Sequence, residues 1–441
     1  MSKQMDAIQD AALGYMAKNE VSKKANVPPG YKYTEVGLIP EDWSISKVGA
    51  LTSYLNGKAH ERHISDDGDF TVVNSKFISS GGSVRKYSKE CLCPTHAGDT
   101  LMVMSDVPNG RAIAKCFFVE DASAYTLNQR ICALTPTNIN PKLLFYKLDR
   151  NKFYLSFDDG AKQTNLQKND VLACPIAFPT NPDEQQAIAT ALSDADALIE
   201  SLDKLIAKKR SIKQATMQQL LTGKIRLPGF EGEWETKRLS ELGPFYKGQG
   251  IKRNEISSEG LPCIRYGEIY TRHDNYVTKL NSYVPPDIAA SAFMLKKGDL
   301  LFAGSGETAE EIGKCVAYLG EDEAYAGGDI VILRPKELNS LYMGYLMNHA
   351  TVTEQKARLG QGDAVVHISA HNLGKLEVRM PAIHEQQAIA TVLSDMDAEI
   401  KALERRRNKT KNIKQGMMQQ LLTGRIRLVD PEVAEKKKKN H

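Results

Sequence analysis

A long stretch in the middle of the chain occurs a second time near its end. The first copy is Glu184–Leu227, EQQAIATALSDADALIESLDKLIAKKRSIKQATMQQLLTGKIRL, and the second is Glu385–Leu428, EQQAIATVLSDMDAEIKALERRRNKTKNIKQGMMQQLLTGRIRL. Roughly two-thirds of the paired positions are identical and the copies align without a gap, which shared composition alone does not produce. Because the copies lie about half of the 441 residues apart, the duplicated unit is half of the protein.

Each copy has the apolar periodicity of a long helix. Apolar side chains recur at alternating steps of four and three residues, the a/d pattern of a coiled coil. Gly223 and Gly424 follow the last apolar turn, where a C-terminal cap belongs. We predict a helix seam that also docks partners, formed by Ile188, Leu192, Ile199 and Leu202 in the first copy and by Ile389, Leu393, Ile400 and Leu403 in the second.

The narrow apolar stripe of such a helix, roughly 57 Å long at ~1.5 Å per residue, cannot be buried by the helix itself. The simplest partner is the other copy, which predicts an intramolecular pair of helices. The alternative is that each helix packs on the globular half next to it. The closing LLTG-[KR]-IRL segment is interpreted as a structural stop and docking edge, with a phosphate-contacting basic turn as the alternative.

Composition indicates an ordinary globular protein. The chain is 41% apolar and 25% charged with a net charge of +4, a balance that permits nucleic-acid binding without requiring it. We expect a cytoplasmic protein, because the N-terminus has no signal peptide and no apolar run approaches membrane-spanning length. The seven scattered cysteines are interpreted as reduced thiols, and the Cys91, Cys93 and His96 cluster lacks a fourth ligand at a metal-site spacing. No metal is predicted.

The domains predicted from these patterns alternate between variable and repeated segments. Trp43 and Trp234, the two tryptophans of the chain, stand at matching points where each variable segment begins. Both variable segments consist of short apolar runs separated by turn residues, which predicts mixed α/β (α+β) domains dominated by strands. The predicted order is an N-terminal leader (1–30), domain 1 (31–182), a central helical spacer (183–227), domain 2 (228–383), a C-terminal helical spacer (384–428) and a basic tail (429–441).

Catalytic motifs are absent from the sequence. The segment Phe302–Glu307 followed by Gly313 and Lys314 has the wrong glycine spacing for a phosphate loop, and Cys315 stands where a Ser or Thr is needed. The adenine-methyltransferase Asn-Pro-Pro-aromatic motif is missing. We therefore predict no catalytic residues and no cofactor bound by this chain.

Polar and basic side chains of the variable segments suit DNA. Arg and Lys pair with phosphates and guanine edges, and Asn and Gln pair with adenine edges. The candidates in domain 1 are Lys58, Arg62, Lys76, Arg85, Lys86, Asn109, Arg111, Gln129, Arg130 and Lys162. The candidates in domain 2 are Lys252, Arg253, Arg265, Tyr266, Arg272, Lys314 and His367.

These features resemble the specificity (S) subunit of type I restriction–modification enzymes over nearly the whole chain. The resemblance rests on Gly37–Trp43, on Phe230–Trp234, on Glu184–Ala189 followed by Leu192-Ser-Asp, and most specifically on Gln218–Leu227 with its repeat Gln419–Leu428. It implies two target-recognition domains joined by two long helices that form an intramolecular antiparallel coiled coil with a pseudo-two-fold internal repeat.

The resemblance also implies a function and partners. A non-catalytic specificity subunit recognises a bipartite site in double-stranded DNA, one half per domain, and its helices act as a ruler for the gap. It docks two methyltransferase (M) subunits for adenine methylation and restriction/translocase (R) subunits for cleavage, with S-adenosylmethionine and ATP expected on those partners and no membrane involved.

Three alternatives remain open at this point. The chain could serve a fused methylase–nuclease (type IIB-like) system. It could be a coiled-coil scaffold that binds proteins and not DNA. It could also be a stand-alone enzyme, such as a nuclease within one α/β unit.

Overall fold

The computed structural model describes residues 27–108, 110–121, 124–362 and 365–429, which form two compact units. Unit 1 comprises the chain up to Ser201 together with the chain from Arg407 onward, and unit 2 is Leu202–Arg406. Each unit therefore contains one variable domain and parts of both long helices. Most of the predicted leader and basic tail lies outside the described residues.

Unit 1 is built from thirteen described strands and five short helices. The strands are β1 (Tyr31–Thr34), β2 (Gly37–Pro40), β3 (Trp43–Lys47), β4 (Thr52–Asn56), β5 (Phe70–Val73), β6 (Tyr87–Ser88), β7 (Thr100–Val103), β8 (Ser105–Asp106), β9 (Cys116–Phe118), β10 (Tyr125–Leu127), β11 (Ile131–Pro136), β12 (Thr164–Asn165) and β13 (Pro175–Pro179). The helices are α1 (Val48–Leu51), α2 (Ser75–Ser79), α3 (Pro141–Leu148), α4 (Lys152–Leu155) and α5 (Lys168–Ala173).

The main sheet of unit 1 is antiparallel, in the order β4-β11-β7-β9, and it is covered on both faces. Leu101 and Val103 of β7 face a core shared with the smaller β10-β5-β6 sheet and α2, whereas Met102 between them faces a core shared with α3. Successive side chains of a strand point to opposite faces, so a strand buried on both faces reads as a continuous apolar run. The segments Thr100–Val103 and Ile131–Leu134 are buried at every position, as this arrangement requires.

Unit 2 repeats this architecture with one more strand in each of its two larger sheets. Its strands are β14 (Glu235–Arg238), β15 (Phe245–Lys247), β16 (Leu261–Ile264), β17 (Tyr276–Val277), β18 (Ser282–Val284), β19 (Phe293–Leu295), β20 (Leu300–Ala303), β21 (Ser305–Gly306), β22 (Cys315–Tyr318), β23 (Ala324–Ala326), β24 (Ile330–Leu333), β25 (Val366–His367) and β26 (Glu377–Met380). The short helices are α7 (Leu239–Leu242), α8 (Tyr266–Thr271), α9 (Pro286–Ala289), α10 (Ser340–Met347), α11 (Ala350–Leu359) and α12 (Ala370–Gly374), with a 3-10 turn at Arg253–Glu255.

The main sheet of unit 2 has the order β15-β24-β20-β22-β17, which is the four-strand order of unit 1 with β17 added in parallel at one edge. Its smaller sheet, β18-β16-β23-β19, also has one more strand than its counterpart. Leu301 and Ala303 face that smaller sheet, and Leu300 and Phe302 face the core under α10. The two domains therefore share a frame that the divergent parts of their sequences do not reveal.

The long helices complete both cores and run antiparallel, which confirms the predicted fold class. They are α6 (Pro182–Leu220) and α13 (Ile383–Leu421). In unit 1, Asp196 near the start of α6 pairs with Lys414 near the end of α13, their Oδ1 and Nζ atoms 2.5 Å apart. In unit 2, Lys213 near the end of α6 pairs with Asp397 near the start of α13 at the same distance.

The predicted seam residues are buried to different degrees. Ile188, Leu192, Leu202, Ile389, Leu393 and Ile400 are buried, whereas Ile199 and Leu403 are half-buried. In unit 1, Leu192 of α6 and Leu421 of α13 belong to the same buried core as the apolar residues of the domain. At its ends the seam thus contacts both the other helix and the neighbouring domain, so the two predicted packing modes coexist there.

Candidate nucleic-acid interface

Each domain is fixed to the helix ends by a tryptophan and a glycine. Trp43 lies against Gly424 in unit 1, and Trp234 lies against Gly223 in unit 2. Both glycines have a φ of +69°, the left-handed conformation that closes a helix at low cost only when no Cβ is present. The matching tryptophans at the start of each domain are therefore anchors on the helix caps.

The basic residue of each IRL segment is held in an ion pair. Arg226 makes a two-pronged contact with Glu385 in unit 2, with Nε–Oε1 and Nη2–Oε2 distances of 2.5 and 2.6 Å. Arg427 does the same with Glu184 in unit 1, and its Nη2 also lies 2.7 Å from Oδ2 of Asp42. Hydrogen bonds to these carboxylates raise the pKa of both guanidinium groups. The pairing supports the structural interpretation of this segment over a phosphate-contacting one.

A tyrosine–aspartate–lysine cluster recurs where each domain meets the helices. The Tyr146 hydroxyl donates to Oδ2 of Asp196 at 2.8 Å in unit 1, and Lys414 pairs with the other carboxylate oxygen. In unit 2 the Tyr345 hydroxyl donates to Oδ2 of Asp397 at 2.6 Å, and Lys213 pairs with the other oxygen of that carboxylate. Burial raises the pKa of both tyrosines, so they remain hydrogen-bond donors. These paired contacts explain why the repeated residues are shared by the two halves.

Against this common frame, each domain has an open cleft at the same place. In unit 1, β8 pairs with β12 beyond the end of β7, and in unit 2, β21 pairs with β25 beyond the end of β20. Each two-residue ladder forms one wall, and the first strand of the main sheet forms the other. We call these the unit-1 cleft, of about 680 Å³, and the unit-2 cleft, of about 420 Å³.

The unit-1 cleft is rich in amide groups and has a positive charge. Its polar side chains are Tyr54, Asn56, Ser105, Gln129, Arg130, Gln163, Asn165, Gln167 and Lys168, and its described lining contains no carboxylate. The Ser105 hydroxyl donates to Oδ1 of Asn165 at 2.7 Å, and Gln163 Nε2 donates to the Ser105 oxygen at 2.8 Å. The arrangement presents hydrogen-bonding edges to a ligand in the cleft.

The unit-2 cleft has the same serine but different neighbours. Ser305 occupies the position of Ser105, and its hydroxyl lies 2.9 Å from Nδ1 of His367, which stands where unit 1 has Asn165. Lys247 and Asp329 also line this cleft. The same frame therefore presents a different set of donors and acceptors in each domain.

Three of the predicted DNA-binding residues line these clefts: Gln129 and Arg130 in unit 1 and His367 in unit 2. The other described candidates of domain 1 are exposed elsewhere, beside the smaller sheet for Lys58, Arg62, Lys76, Arg85 and Lys86, and in turns for Arg111 and Lys162. Asn109 lies outside the described residues.

Some candidates of domain 2 have partners within the protein. Glu268 is buried, and its carboxylate accepts from Arg272 at 2.9 Å and lies 4.0 Å from Nε of Arg265. Lys314 is half-buried and donates to the Tyr270 carbonyl at 3.3 Å, and burial lowers its pKa. The remaining candidates are exposed, namely Lys252, Arg253 and Tyr266.

Several cleft residues were not identified from the sequence, because none of them belongs to a distinctive local motif. Ser105 and Ser305 each follow a buried strand that is preceded by Gly-Asp, and Asn165 lies in a segment without apolar periodicity. The signal that could have found the serines is their identical place after matching strands of the two halves. Asn165 has no such signal, because its ladder pairs residues distant in sequence.

The residues that the structure describes also bear on a metal site, on disulfides and on a membrane span. No group of three or more His, Cys, Asp or Glu side chains there is arranged to hold a metal ion. All seven cysteines are free thiols, Cys91 and Cys93 included. Within the same residues, no helix is long and apolar enough to cross a membrane.

Comparison with known proteins gives a consistent result. The family model described as the type I restriction modification DNA specificity domain matches twice, at residues 40–209 and 231–412. The MjaVIII type I restriction enzyme specificity subunit of Methanocaldococcus jannaschii is 22% identical over 415 residues, covering 88% of this chain and 94% of that protein. A putative specificity subunit of Haemophilus influenzae is 22% identical over 308 residues, covering 69% of this chain and 76% of its own length.

Solved structures agree in fold. The type I restriction–modification S subunit from M. genitalium has a TM-score of 0.59 at 17% identity, covering 89% of this chain and 98% of its own. A chain from work on complex assembly and conformational transition of the type I R-M system has a TM-score of 0.50 at 16% identity, covering 88% of this chain and 99% of its own. Two family matches that together span more than half of the sequence, on a fold built twice from the same frame, establish that this chain belongs to the type I restriction–modification DNA specificity family.

Proposed function

We propose that this chain is the DNA-sequence-specificity subunit of a type I restriction–modification enzyme, and that each unit recognises one half of a bipartite site in double-stranded DNA. The observation that carries this proposal is the contrast between a repeated frame and clefts with different linings. Ser105 and Ser305 occupy the same position, whereas Asn165 and His367 beside them differ. A frame that is kept while the hydrogen-bonding residues change suits recognition of two different base sequences.

The chemistry of the clefts supports DNA as the ligand. Amides and hydroxyls supply the donors and acceptors that read base edges, and cationic side chains at the same place pair with phosphates. In the unit-1 cleft the cations are Arg130 and Lys168, and in the unit-2 cleft Lys247 has that role. A net charge of only +4 agrees with local rather than overall attraction to the duplex.

Partners supply the chemistry in this proposal. The chain itself is non-catalytic and binds no cofactor, two methyltransferase subunits dock on its repeated helical elements and methylate adenine with S-adenosylmethionine, and ATP-dependent restriction subunits join them. The duplicated frame supports two copies of one partner, because similar surfaces on one chain can receive identical subunits. The assembly acts in the cytoplasm, where its DNA substrate lies.

The experiment that tests this function is the methylation pattern of the host genome, read by single-molecule sequencing with and without the gene. We expect the loss of one bipartite adenine-methylated motif when the gene is deleted, and its return on complementation. A purified complex with the methyltransferase partner should select the same motif from mixed DNA. An unchanged methylation pattern together with no sequence-selective binding would contradict the proposal and favour a protein scaffold.

A further inference from the structure

Two amide side chains of the unit-1 cleft are locked together through a serine. Ser105 Oγ donates to Oδ1 of Asn165 at 2.7 Å, and Gln163 Nε2 donates to both the serine oxygen and Asn165 Oδ1, at 2.8 and 3.2 Å. Gln163 directly precedes β12 (Thr164–Asn165), and its side chain lies on the same side as that of Asn165, as the hydrogen bond between them requires. Both are exposed. The triplet is therefore a hydrogen-bonded polar edge at the mouth of the cleft.

This edge presents one donor and one acceptor to a ligand. Within the described part of the chain, no hydrogen bond engages Asn165 Nδ2 or Gln163 Oε1. If both amides were turned over, the serine would donate to Gln163 instead, all three bonds would persist, and the outward donor and acceptor would exchange places. Turning over only one amide would bring like groups together. One donor and one acceptor thus face outward in either arrangement.

The four bases differ in whether they match such a pair. In the major groove adenine offers an acceptor, N7, beside a donor, N6–H, whereas guanine offers two acceptors, cytosine a donor, and thymine an acceptor beside a methyl group. We infer that Gln163 and Asn165, oriented by Ser105, are the specificity-determining residues that read an adenine in the half-site bound by unit 1. This inference rests on the proposed function and adds the residues and the base.

Unit 2 provides a natural contrast at the same position. Its serine meets His367, and Val365 stands where unit 1 has Gln163. Val365 is exposed and has no hydrogen-bonding side-chain atom, so the two-amide edge is restricted to unit 1 at this place in the frame. The half-site of unit 2 should therefore be unaffected by changes to the unit-1 edge.

The test is a change of base preference, measured with the complex of the full chain and its methyltransferase partner. Duplexes randomised at each position of the two half-sites are methylated with S-adenosylmethionine, and relative rates are read by sequencing. Asn165→Asp replaces the outward amide with a carboxylate, which accepts from the cytosine N4 amino group. We expect the preference for adenine over cytosine at one position to fall by at least about tenfold, with the other half-site unchanged.

Asn138→Asp is the matched control, because it makes the same charge change at an exposed residue of the same unit outside the cleft lining. It should leave every base preference intact. An unchanged motif in Asn165→Asp, with a bipartite motif in the wild type, would overturn the inference and leave the proposed function standing. Equal loss on all four bases in both Asn165→Asp and Asn165→Ala would also overturn it, as Asn165 would then be a structural residue. A wild-type complex without any bipartite motif would instead contradict the proposed function.

Discussion

At the residue scale, the two cap glycines differ in how much space surrounds them. Gly223 and Gly424 share a φ of +69°, where a side chain is strained by about 1–3 kcal/mol. A Cβ on Gly424 would lie 2.5 Å from the ring of Pro40, whereas the nearest atoms to a Cβ on Gly223 belong to the Trp234 ring, at 3.2 Å or more. The same residue in the same motif is therefore more constrained in unit 1 than in unit 2.

We expect Gly424→Ala to destabilise unit 1 by more than Gly223→Ala destabilises unit 2, about 3 kcal/mol against about 1–2 kcal/mol. The measurement is denaturant unfolding followed by tryptophan fluorescence, since each unit has one tryptophan and the other can be replaced by Phe. Gly416→Ala is the control, because Gly416 lies inside α13 with open space around it. That change should stabilise the helix by about 0.5–1 kcal/mol, and equal losses in all three variants would contradict the interpretation.

A buried lysine makes unit 1 sensitive to pH. Lys147 lies 4.7 Å from the Trp43 ring and donates to the Leu422 carbonyl at 2.5 Å. Burial lowers its pKa from 10.5 to about 7. Between pH 7 and 10.5 the unfolded chain holds a proton that the folded chain has released, so stability rises with pH in that range and is lost as pH falls through about 7.

This linkage predicts a pH-dependent difference between the wild type and Lys147→Met, which has a side chain of similar length without the charge. From pH 6.5 to 8 the stability of the wild type relative to the variant should increase by about 1 kcal/mol. Denaturant unfolding at several pH values, with Trp43 as the reporter, measures it. A difference that stays constant with pH would show that Lys147 keeps an ordinary pKa in the folded protein.

At the element scale, the long helices depend on a few apolar positions at their ends. Leu192 is fully buried in the core of unit 1, whereas Leu198 on the same helix is 38% exposed. We expect Leu192→Asp to destabilise unit 1 by about 3–5 kcal/mol, because it removes apolar contacts and buries an unpaired charge. Leu198→Asp should change stability by less than about 0.5 kcal/mol. Unfolding followed by Trp43 fluorescence and assembly with the methyltransferase partner test both, and similar losses in the two variants would contradict the packing.

The helices and strands differ in how well they could be predicted from the sequence. The long helices were predictable because their apolar residues recur over many turns, in α6 without a Pro or Gly after Pro182 and in α13 with a single glycine, Gly416. Helix α6 begins at Pro182, one residue before the predicted helical spacer. The double-buried strands β7 and β11 were predictable because their apolar runs are continuous. The ladders β8·β12 and β21·β25 were not, since each has two residues per strand and joins segments about 60 residues apart. Hence Gln129, Arg130 and His367 were predicted as DNA-binding candidates, but the clefts that contain them were not predicted.

At the scale of the whole molecule, both long helices pass from one unit to the other. The division falls after Ser201 in α6 and after Arg406 in α13. An insertion of seven residues at each of these points would keep the a/d pattern and lengthen both helices by about 10.5 Å at ~1.5 Å per residue. The hydrogen bonds that hold each domain to the helices, such as Tyr146 to Asp196 and Tyr345 to Asp397, lie outside the inserted segments.

If the helices set the gap between half-sites, the double insertion should lengthen the spacer of the methylated motif by up to about three base pairs at ~3.4 Å per pair. The bases of both half-sites should stay the same, because the insertion changes neither the clefts nor the contacts that hold each domain to the helices. Motif determination with the purified complex measures spacer and bases together. Seven alanine substitutions at exposed positions of the same helices serve as the control for sequence change without added length. A new base preference with an unchanged spacer would assign base recognition to the helices and remove it from the clefts. A longer spacer with the same bases would show that the helices set the distance between the half-sites while the domains recognise the bases.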